Sequence, residues 1–267
     1  MRQYKCAFIV GASGGLGRAI ALEIAPCCSE LVIASRQVSK LEELKRDIES
    51  SYPGKTVRVV PFDLEKQDSI VSALHEVDFT RVDLLIMNAG YGTFKHFLDA
   101  DWDSVESTIV GNLIGTMKLV HAALPLMVEG ALSSGNRAEL VVISSHSSGM
   151  RIPYFSVYVP VKTFLTQWAR TIAMELKGRP ITVTVPCPGA MLTSFADRSG
   201  IPRMVKVPEY PESVAKQCVK LFGRGGVHYL NNYDRFLQFI NWLLPVFVMD
   251  WLVNSVQQRS LSRVSKN

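Results

Sequence analysis

The sequence predicts a single-domain α/β protein built on a doubly wound parallel sheet of about seven strands, with helices on both faces of the sheet. Two observations lead to this prediction. Short apolar runs rich in β-branched residues alternate with longer amphipathic runs along most of the chain, which is typical of βαβ units. The short runs are apolar at nearly every position, as expected for strands that are covered on both faces.

The first half of the chain supplies four predicted strands and three predicted helices. The strands are read from the runs CAFIV, ELVIAS, TVRVVPFDL and VDLLIMNAG. The helices between them are read from GRAIALEIAPCC, SKLEELKRDIESS and DSIVSALHEV, where apolar residues recur three or four positions apart. These seven runs follow one another in strict alternation, so they predict three successive crossovers in one sheet.

The second half continues the same alternation with three more strands. The predicted strands are AELVVISS, ITVTVPCPG and VHYLNN, and the helical runs are WDSVESTIVGNLIGTMKLVHAALPLMVEG, VYVPVKTFLTQWARTIAMELKG and ESVAKQCVKLF. No linker rich in Pro, Gly or Ser divides the 267 residues, and α/β proteins of this length often fold as one domain. We therefore assign residues 1–235 to one domain, and we treat residues 236–267, where the composition changes, as a C-terminal extension.

The extension begins with a segment dense in aromatic and aliphatic residues, FLQFINWLLPVFVMDWLV, residues 236–253. Gln238, Asn241, Pro245 and Asp250 interrupt it, which argues against a helix that spans a bilayer. An amphipathic element fits better. Its apolar face then has to be buried against the body of the protein, a partner subunit or a lipid surface.

The charge distribution and the cysteines argue against nucleic-acid binding and against a metal site. The formal net charge is +5, but Arg259, Arg263 and Lys266 supply three of these charges from the last nine residues, so we expect no nucleic-acid binding by the body. The five cysteines form an odd set without metal-ligand spacing, which favours buried free thiols in a reducing compartment and no metal site. The first residues enter a strand pattern at once, leaving no room for a cleavable signal peptide. We expect a cytoplasmic protein, with peripheral contact to a cytosolic membrane face as a further option.

The run GASGGLGRAI follows the first predicted strand and opens the first predicted helix. Gly11, Gly15 and Gly17 have G-x-x-x-G-x-G spacing, and glycines there allow the backbone to approach a pyrophosphate at the positive end of the helix. In this strand-turn-helix context the run indicates a dinucleotide site. The alternative is a flexible turn that binds nothing.

The second predicted strand ends in LVIASRQ, with Ser35 and Arg36 where an NAD-binding protein usually has an acidic residue. A guanidinium pairs with a phosphate, whereas an acid repels one, so NADP(H) is favoured over NAD(H). The alternative is an arginine that lies at the surface without a ligand.

Several motifs, taken in order, resemble those of the classical short-chain dehydrogenase/reductase family, and the resemblance runs from about Lys5 to Pro211. They are GASGGLG, which includes Ser13 and Leu16; FDL, with Asp63 and Leu64; NAG, which is Asn88, Ala89 and Gly90; GNLIG, with Asn112; VISS, with Ser144 and Ser145; YVPVK, with Tyr158 and Lys162; and PCPGAMLT, with Pro188, Gly189 and Thr193. The resemblance implies a Rossmann-like fold whose cofactor contacts come from these segments together with Ser35 and Arg36.

The resemblance also implies catalytic roles for Ser145, Tyr158, Lys162 and Asn112. Family spacing selects Ser145, thirteen residues before Tyr158, over its neighbouring serines. Tyr158 and Lys162 lie four apart, on one face of a helix, so we expect the ammonium to lower the pKa of the phenol.

Two features leave alternatives open. Pro160 is tolerated if the helix begins near Val157 but kinks it if the helix begins earlier. The implied role of Asn112 is to hold a water that links Lys162 to solvent, and the alternative is an amide that caps an irregularity in its helix.

The implied activity is NADPH-dependent interconversion of a ketone and a secondary alcohol by a homo-oligomer, a dimer or tetramer. The hydrophobic residues of segment 190–211 and the aromatic extension suggest a hydrophobic substrate of the steroid, fatty acyl or sphingoid type, because similar extensions occur in steroid- and lipid-acting members of the family. The alternative is an NADP(H)-binding sensor or membrane-associated scaffold of the same fold with weak catalysis.

Overall fold

The computed structural model describes residues 2–193, 195, 199–200, 209–251 and 253–255. In the first half, the strands are β1 (Tyr4–Val10), β2 (Cys28–Ser35), β3 (Thr56–Pro61) and β4 (Leu84–Met87). The helices between them are α1 (Gly15–Ile24), α2 (Val38–Ser51) and α3 (Gln67–Glu76), and one 3₁₀ turn, Ala25–Cys27, follows α1. Pro26 lies in that turn, so Cys28 belongs to β2 and not to the predicted first helix.

In the second half, the strands are β5 (Ala138–Val142), β6 (Ile181–Cys187) and β7 (Gly226–Tyr229). The helices are α4 (Trp102–Ile109), α5 (Thr116–Ser134), α6 (Tyr158–Glu175), α7 (Pro211–Val219) and α8 (Asn232–Leu243), with a 3₁₀ turn at Phe97–Asp99. A π-helical segment, Val110–Gly115, joins α4 to α5. Residues 246–251 and 253–255 are also helical.

All seven strands pair in parallel in the order β3-β2-β1-β4-β5-β6-β7. The chain therefore winds outward in one direction from β1 to β3 and in the other direction from β4 to β7. The order reverses between β1 and β4, and in open parallel sheets ligands bind in the crevice beyond the carboxyl ends of the strands at such a point. The predicted doubly wound sheet is confirmed.

Alternate residues of β1 point into two separate hydrophobic clusters. Phe8 and Val10 pack with α3, α5 and α6 on one face, whereas Ala7 and Ile9 pack with α1, α2 and α7 on the other. This two-sided burial follows from the period of two along a strand. It explains why the predicted strands are apolar at consecutive positions. Each of the five cysteines, all within the described part of the chain, is buried and free, as predicted.

The continuous helical stretch from Trp102 to Ser134 is long and apolar enough to cross a membrane by length and composition. Its residues Leu119, Val120, Ala123 and Met127 are nevertheless almost fully buried against the sheet. We therefore assign the stretch to the core of the domain, where a buried helix has the same composition.

The helix α8 begins at Asn232, so the expected domain boundary at residue 235 falls inside it. Asn231 caps the helix, since its Oδ1 accepts a hydrogen bond from the Asp234 amide at 2.7 Å. The Asp234 side chain, which is 4% exposed, accepts from Asn231 Nδ2 in return. This reciprocal cap fixes the direction in which the C-terminal segment leaves β7.

Candidate active site

A groove runs along the carboxyl ends of the strands at the switch point between β1 and β4. Nine of the predicted cofactor residues line it: Gly11, Ser13, Ser35, Arg36, Asp63, Leu64, Asn88, Ala89 and Gly90. Asn112 also lines it. The ends of β1, β2, β3 and β4 therefore contribute to one continuous surface, because parallel strands all end at the same edge of the sheet.

The glycine loop meets the NAG segment so closely that side chains are excluded. A Cβ on Gly17 would lie 2.2 Å from the Gly11 carbonyl oxygen and 2.6 Å from Asn88 Nδ2. Asn88 Nδ2 donates to this same carbonyl at 3.1 Å. Gly11 has a φ of +79°, which favours glycine. The conformation of the loop is therefore set by its glycine backbone together with the Asn88 side chain.

The amino end of α1 suits a pyrophosphate. Gly14, which precedes the helix, has no side chain to cap the first amides, so these N–H groups stay available to an anion, and the helix dipole favours negative charge there. Gly15, Leu16 and Gly17 form the first turn of α1. The residues present therefore fit a dinucleotide.

The predicted residues after β6 approach the same loop. A Cβ on Gly15 would lie 2.7 Å from Thr193 Cγ2, so Thr193 packs against the first turn of α1. The Pro188 carbonyl accepts a hydrogen bond from the His146 amide at 2.8 Å, and Gly189 lies next to Asp234, whose Oδ2 is 3.3 Å from a Cβ built on that glycine. The turn after β6 thus connects the glycine loop with the loop after β5.

The helix α6 begins at Tyr158, with Val157 as its N-cap. Pro160 is therefore the third residue of the first turn, where a missing N–H costs no intrahelical hydrogen bond. Of the two starting points left open by the sequence, the structure has the one that preserves the geometry of Tyr158 and Lys162.

Lys162 is buried, with 3% of its surface exposed, and its Nζ donates to the Ile143 carbonyl oxygen at 2.9 Å. The same atom lies 3.1 Å from a Cβ built on Gly90. Burial lowers the pKa of Lys162 to about 8, because the ammonium loses hydration that one carbonyl replaces only in part. Lys162 therefore links the end of β5 to the NAG segment.

The ring of Tyr158 lies 5.9 Å from Lys162 Nζ, measured to the ring centroid. The expected lowering of the Tyr158 pKa is wrong, because burial raises this pKa to about 12, and a hydrogen bond from the Ser145 side chain only opposes the rise. The phenolate would lose hydration, and this cost exceeds the stabilisation that the Ser145 hydrogen bond provides. At neutral pH the hydroxyl is a protonated donor.

Ser144 and Ser145 follow β5 and face different neighbours. Ser144 Oγ contacts the Lys162 carbonyl at 3.1 Å and the Thr166 hydroxyl at 2.5 Å, so it ties the strand to α6. Ser145 Oγ lies 2.9 Å from Ser147 Oγ and is the serine that interacts with Tyr158. This geometry agrees with the choice of Ser145 made from spacing.

Asn112 lies in the π-helical segment and is 1% exposed. Its Oδ1 accepts from the Tyr91 amide at 3.1 Å, and its Nδ2 donates to the Tyr91 carbonyl. Both ends of the amide thus hold the loop after β4. Asn112 lies in the irregular segment, but its amide bonds the backbone of Tyr91 and not that of its own helix, so these contacts match neither expected role and the role in holding a water stays a prediction. π segments of this kind are frequent at functional sites.

A family model described as short chain dehydrogenase matches residues 5–202. The chain belongs to this family. It is 31% identical over 194 residues to a sulfoacetaldehyde reductase of Chromohalobacter salexigens, covering 71% of this chain and 74% of that one. It is 30% identical over 181 residues to a very-long-chain 3-oxoacyl-CoA reductase of Neurospora crassa, covering 66% of this chain and 53% of that one.

Among solved structures, a short-chain dehydrogenase from Sphingobium yanoikuyae in complex with NADPH superposes with a TM-score of 0.79. The two share 23% identity, and the match covers 88% of this chain and 92% of that chain. This likeness confirms the fold. The family match and the reductase and dehydrogenase relatives identify the chain as an NAD(P)-dependent oxidoreductase.

In this dehydrogenase, aromatic rings surround the side chain of Tyr158. The centroids of Phe155 and Phe195 lie 5.6 and 5.3 Å from that of Tyr158. Phe94 packs on Phe155 at 5.0 Å and stacks on Tyr154 at 5.2 Å. Tyr154 holds a φ of +68°, which is strained for a residue with a side chain. We call these four residues around Tyr158 the aromatic wall.

The C-terminal helix of the dehydrogenase contacts the loop after β5 through polar side chains. Gln238 Nε2 donates to the carbonyl oxygens of His146 and Ser148, and Asn241 Nδ2 donates to the Gly149 carbonyl at 3.0 Å. Two of the interruptions in the apolar run, Gln238 and Asn241, therefore face the protein. Met249 of this segment is buried, whereas seven of its apolar side chains are more than half exposed: Phe236, Phe239, Trp242, Leu243, Val246, Phe247 and Trp251.

The sequence did not reveal three groups that the structure brings to the site. The first group is Glu65, Tyr91 and Lys40, which line the groove. Of these, Glu65 directly follows the FDL motif and could have been noticed for that reason. The aromatic wall had no sequence signal, since its members lie far apart or in irregular segments. Gln238 was seen only as an interruption of an apolar run.

Proposed function

We propose that this dehydrogenase interconverts a ketone and a secondary alcohol on a hydrophobic substrate, with NADP(H) as cofactor. The observation that carries the proposal is the position of Tyr158, which interacts with Ser145 and is bordered by the aromatic wall. A proton donor in an apolar setting suits a carbonyl group on a hydrophobic molecule.

The bound nicotinamide would supply or accept the hydride. In the direction of reduction, Tyr158 donates its proton to the carbonyl oxygen of the substrate. Its raised pKa keeps that proton in place until negative charge develops on the oxygen. Ser145 hydrogen-bonds the same oxygen and orients it, and Lys162 provides positive charge beneath Tyr158.

The preference for NADP(H) is supported by the end of β2. Ser35 and Arg36 line the groove, and the Arg36 side chain is 54% exposed, which leaves its guanidinium accessible to a phosphate. Lys40, in the first turn of α2, lines the same groove. Two cations at this position favour a 2′-phosphate over a free ribose hydroxyl.

The hydrophobic substrate is supported by the aromatic wall and by one relative, which is named as a very-long-chain 3-oxoacyl-CoA reductase. Another relative is named for a small sulfonated aldehyde. The substrate panel should therefore contain both chemistries. Aromatic rings bury large apolar areas, so we expect turnover to rise with the apolar area of the ketone.

The first test is a fluorescence titration with NADPH and NADH, followed by the ketone panel at saturating cofactor. Tight binding of NADPH, together with oxidation of NADPH that depends on added ketone, would support the proposal. Binding without turnover on any ketone or aldehyde would favour the sensor or scaffold. Turnover restricted to sulfoacetaldehyde would overturn the hydrophobic substrate but not the oxidoreductase.

We further propose that the exposed apolar face of α8 and the helix after it contacts an anionic lipid surface. The chain after Asp250 contains Arg259, Arg263 and Lys266 and no acidic residue, and Trp242 and Trp251 are of the type that lies at the boundary of a bilayer. Flotation with vesicles that contain the anionic lipid phosphatidylserine should recover the protein, and Trp242→Ala with Trp251→Ala should reduce recovery. Sedimentation as a dimer without flotation would assign the face to a second copy.

A further inference from the structure

The Arg36 guanidinium is already paired with an acid of the same chain. Its Nη1 lies 2.9 Å from Glu65 Oε1, and the pair spans the groove from the end of β2 to the segment after β3. The guanidinium carbon also lies 5.5 Å from the centroid of the Tyr91 ring, within range of a cation–π contact. The cation expected to recognise a 2′-phosphate is therefore held by an anion and an aromatic ring.

Glu65 is fixed in this position by two hydroxyl groups. Tyr91 donates to Glu65 Oε1 at 2.8 Å, and Ser107 Oγ donates to Glu65 Oε2 at 2.8 Å. Burial raises the pKa of Tyr91, a hydrogen bond with Ser107 opposes the rise, and the hydrogen bond to Glu65 adds to it, so Tyr91 stays a donor at physiological pH. A Cβ on Gly111 would lie 2.7 Å from the Tyr91 hydroxyl, so the glycine leaves room for this contact.

The carboxylate is 27% exposed, half as much as its partner. An ion pair of this kind keeps more of its Coulomb energy than two fully exposed charges do. Because three donors from three elements converge on Glu65, the carboxylate cannot swing away freely when a second anion approaches Arg36. That anion would meet the positive charge of Arg36 and the negative charge of Glu65 together.

We propose that Glu65 is a specificity-determining residue that weakens the preference of this dehydrogenase for NADPH over NADH by sharing Arg36 with the 2′-phosphate. The inference rests on the proposed use of Arg36 for that phosphate. A ribose hydroxyl can donate a hydrogen bond to a carboxylate, whereas a phosphate is repelled by it. Arg36 therefore strengthens the binding of NADPH, whereas Glu65 weakens the binding of NADPH and can favour that of NADH.

The test measures dissociation constants of NADPH and NADH by fluorescence for the wild type and for Glu65→Gln. The glutamine keeps an oxygen acceptor for the hydroxyls but removes the charge. We expect NADPH to bind about tenfold more tightly at low salt, with NADH unchanged or slightly weaker. The gain should shrink as salt rises toward 0.5 M (a Debye length of about 4 Å).

Three further variants make the result specific. Asp68→Asn removes an exposed acid in the first turn of α3, so it has the same change in net charge and should leave both constants within about twofold. Glu65→Asp keeps the charge and should retain most of the wild-type ratio. Arg36→Gln should weaken NADPH binding and leave NADH binding unchanged.

The outcomes separate the two proposals. If Arg36→Gln leaves the NADPH constant unchanged, the proposed phosphate site is wrong. If Arg36→Gln weakens NADPH but Glu65→Gln leaves the ratio of the two constants as in the wild type, the role of Glu65 is refuted while the phosphate site stands. Equal gains from Glu65→Gln and Asp68→Asn would also refute it, because net charge alone would then explain the effect.

Discussion

Gln238 Nε2 donates a hydrogen bond to the His146 carbonyl oxygen at 2.7 Å, and the same nitrogen donates to the Ser148 carbonyl at 3.0 Å. The two residues of the first contact lie 92 positions apart in the chain. This pair connects the C-terminal helix to the short loop that carries Ser145. A helix whose apolar face points away from the protein is thereby attached at the candidate active site.

Gln238→Ala should lower kcat about tenfold and leave the NADPH dissociation constant within about twofold, since the loop after Ser145 loses two hydrogen bonds and misplacement of a catalytic group is costly. Steady-state kinetics and a fluorescence titration provide the two values. Asn232→Ala is the matched control, because Asn232 is exposed at the start of the same helix. Equal kcat for Gln238→Ala and the wild type would show that the contact has no part in positioning Ser145.

Tyr158→Phe should reduce turnover by about 10²- to 10⁴-fold, the usual contribution of a general acid, with NADPH affinity nearly intact. The ring contacts with Phe155 and Phe195 are kept, so the fold should not change. Tyr154→Phe serves as the control, since it removes a hydroxyl from the aromatic wall away from Tyr158. Substantial turnover in Tyr158→Phe would assign proton donation to another group.

Gly17→Ala should destabilise the protein by about 1–3 kcal/mol, because its new methyl group would overlap the Gly11 carbonyl oxygen and the Asn88 side chain. Gly14→Ala is the comparison, as the nearest atom to its Cβ would be 3.6 Å away. Urea unfolding of both variants measures the difference. Equal midpoints would mean that the glycine loop relaxes without cost.

Stability should fall as pH rises above 9, owing to the buried thiols. Burial raises the pKa of Cys6, Cys28, Cys187 and Cys218 from 9.0 to about 12, so the unfolded chain releases these protons first and gains about 1.4 kcal/mol per thiol and pH unit. Lys162 has the opposite effect: it increases stability as the pH rises from about 8 to 10.5, because its pKa is lower in the folded protein than in the unfolded chain.

Urea unfolding midpoints measured between pH 8 and 10.5 test this prediction. Above pH 9 they should fall, because the loss of stability from four thiols exceeds the gain from one ammonium. Cys218→Ala should reduce the fall in the midpoint with pH by roughly a quarter of the thiol contribution. Each protein is compared with its own midpoint at pH 8, so that the cost of the cavity left by the substitution cancels. A midpoint that stays constant to pH 10.5 would contradict the assignment of these thiols as buried.

Local patterns were sufficient for the fold and for most of the cofactor groove. The apolar runs around Phe8 and Ile9 predict strands because both faces of the sheet are covered, and that requirement is visible residue by residue. Gly11 and Gly17 were found from their spacing after the first strand, and the structure shows why side chains are excluded there: a Cβ on Gly11 would meet Ala89, and one on Gly17 would meet the Gly11 carbonyl oxygen and Asn88. The direction in which the Tyr158 pKa shifts was not predictable in this way, because it depends on how much hydration the hydroxyl loses in the folded protein.

By itself, the sequence determined the order of strands and helices, the place of the glycine loop and the spacing of Tyr158 and Lys162, since each depends on residues close together in the chain. Only the tertiary structure decided which partner holds Arg36 and what contacts the C-terminal helix makes. Glu65 lies 29 positions from Arg36, and Gln238 lies 92 positions from His146. Such contacts depend on how separate elements pack, and no local period of the sequence encodes the distance between them.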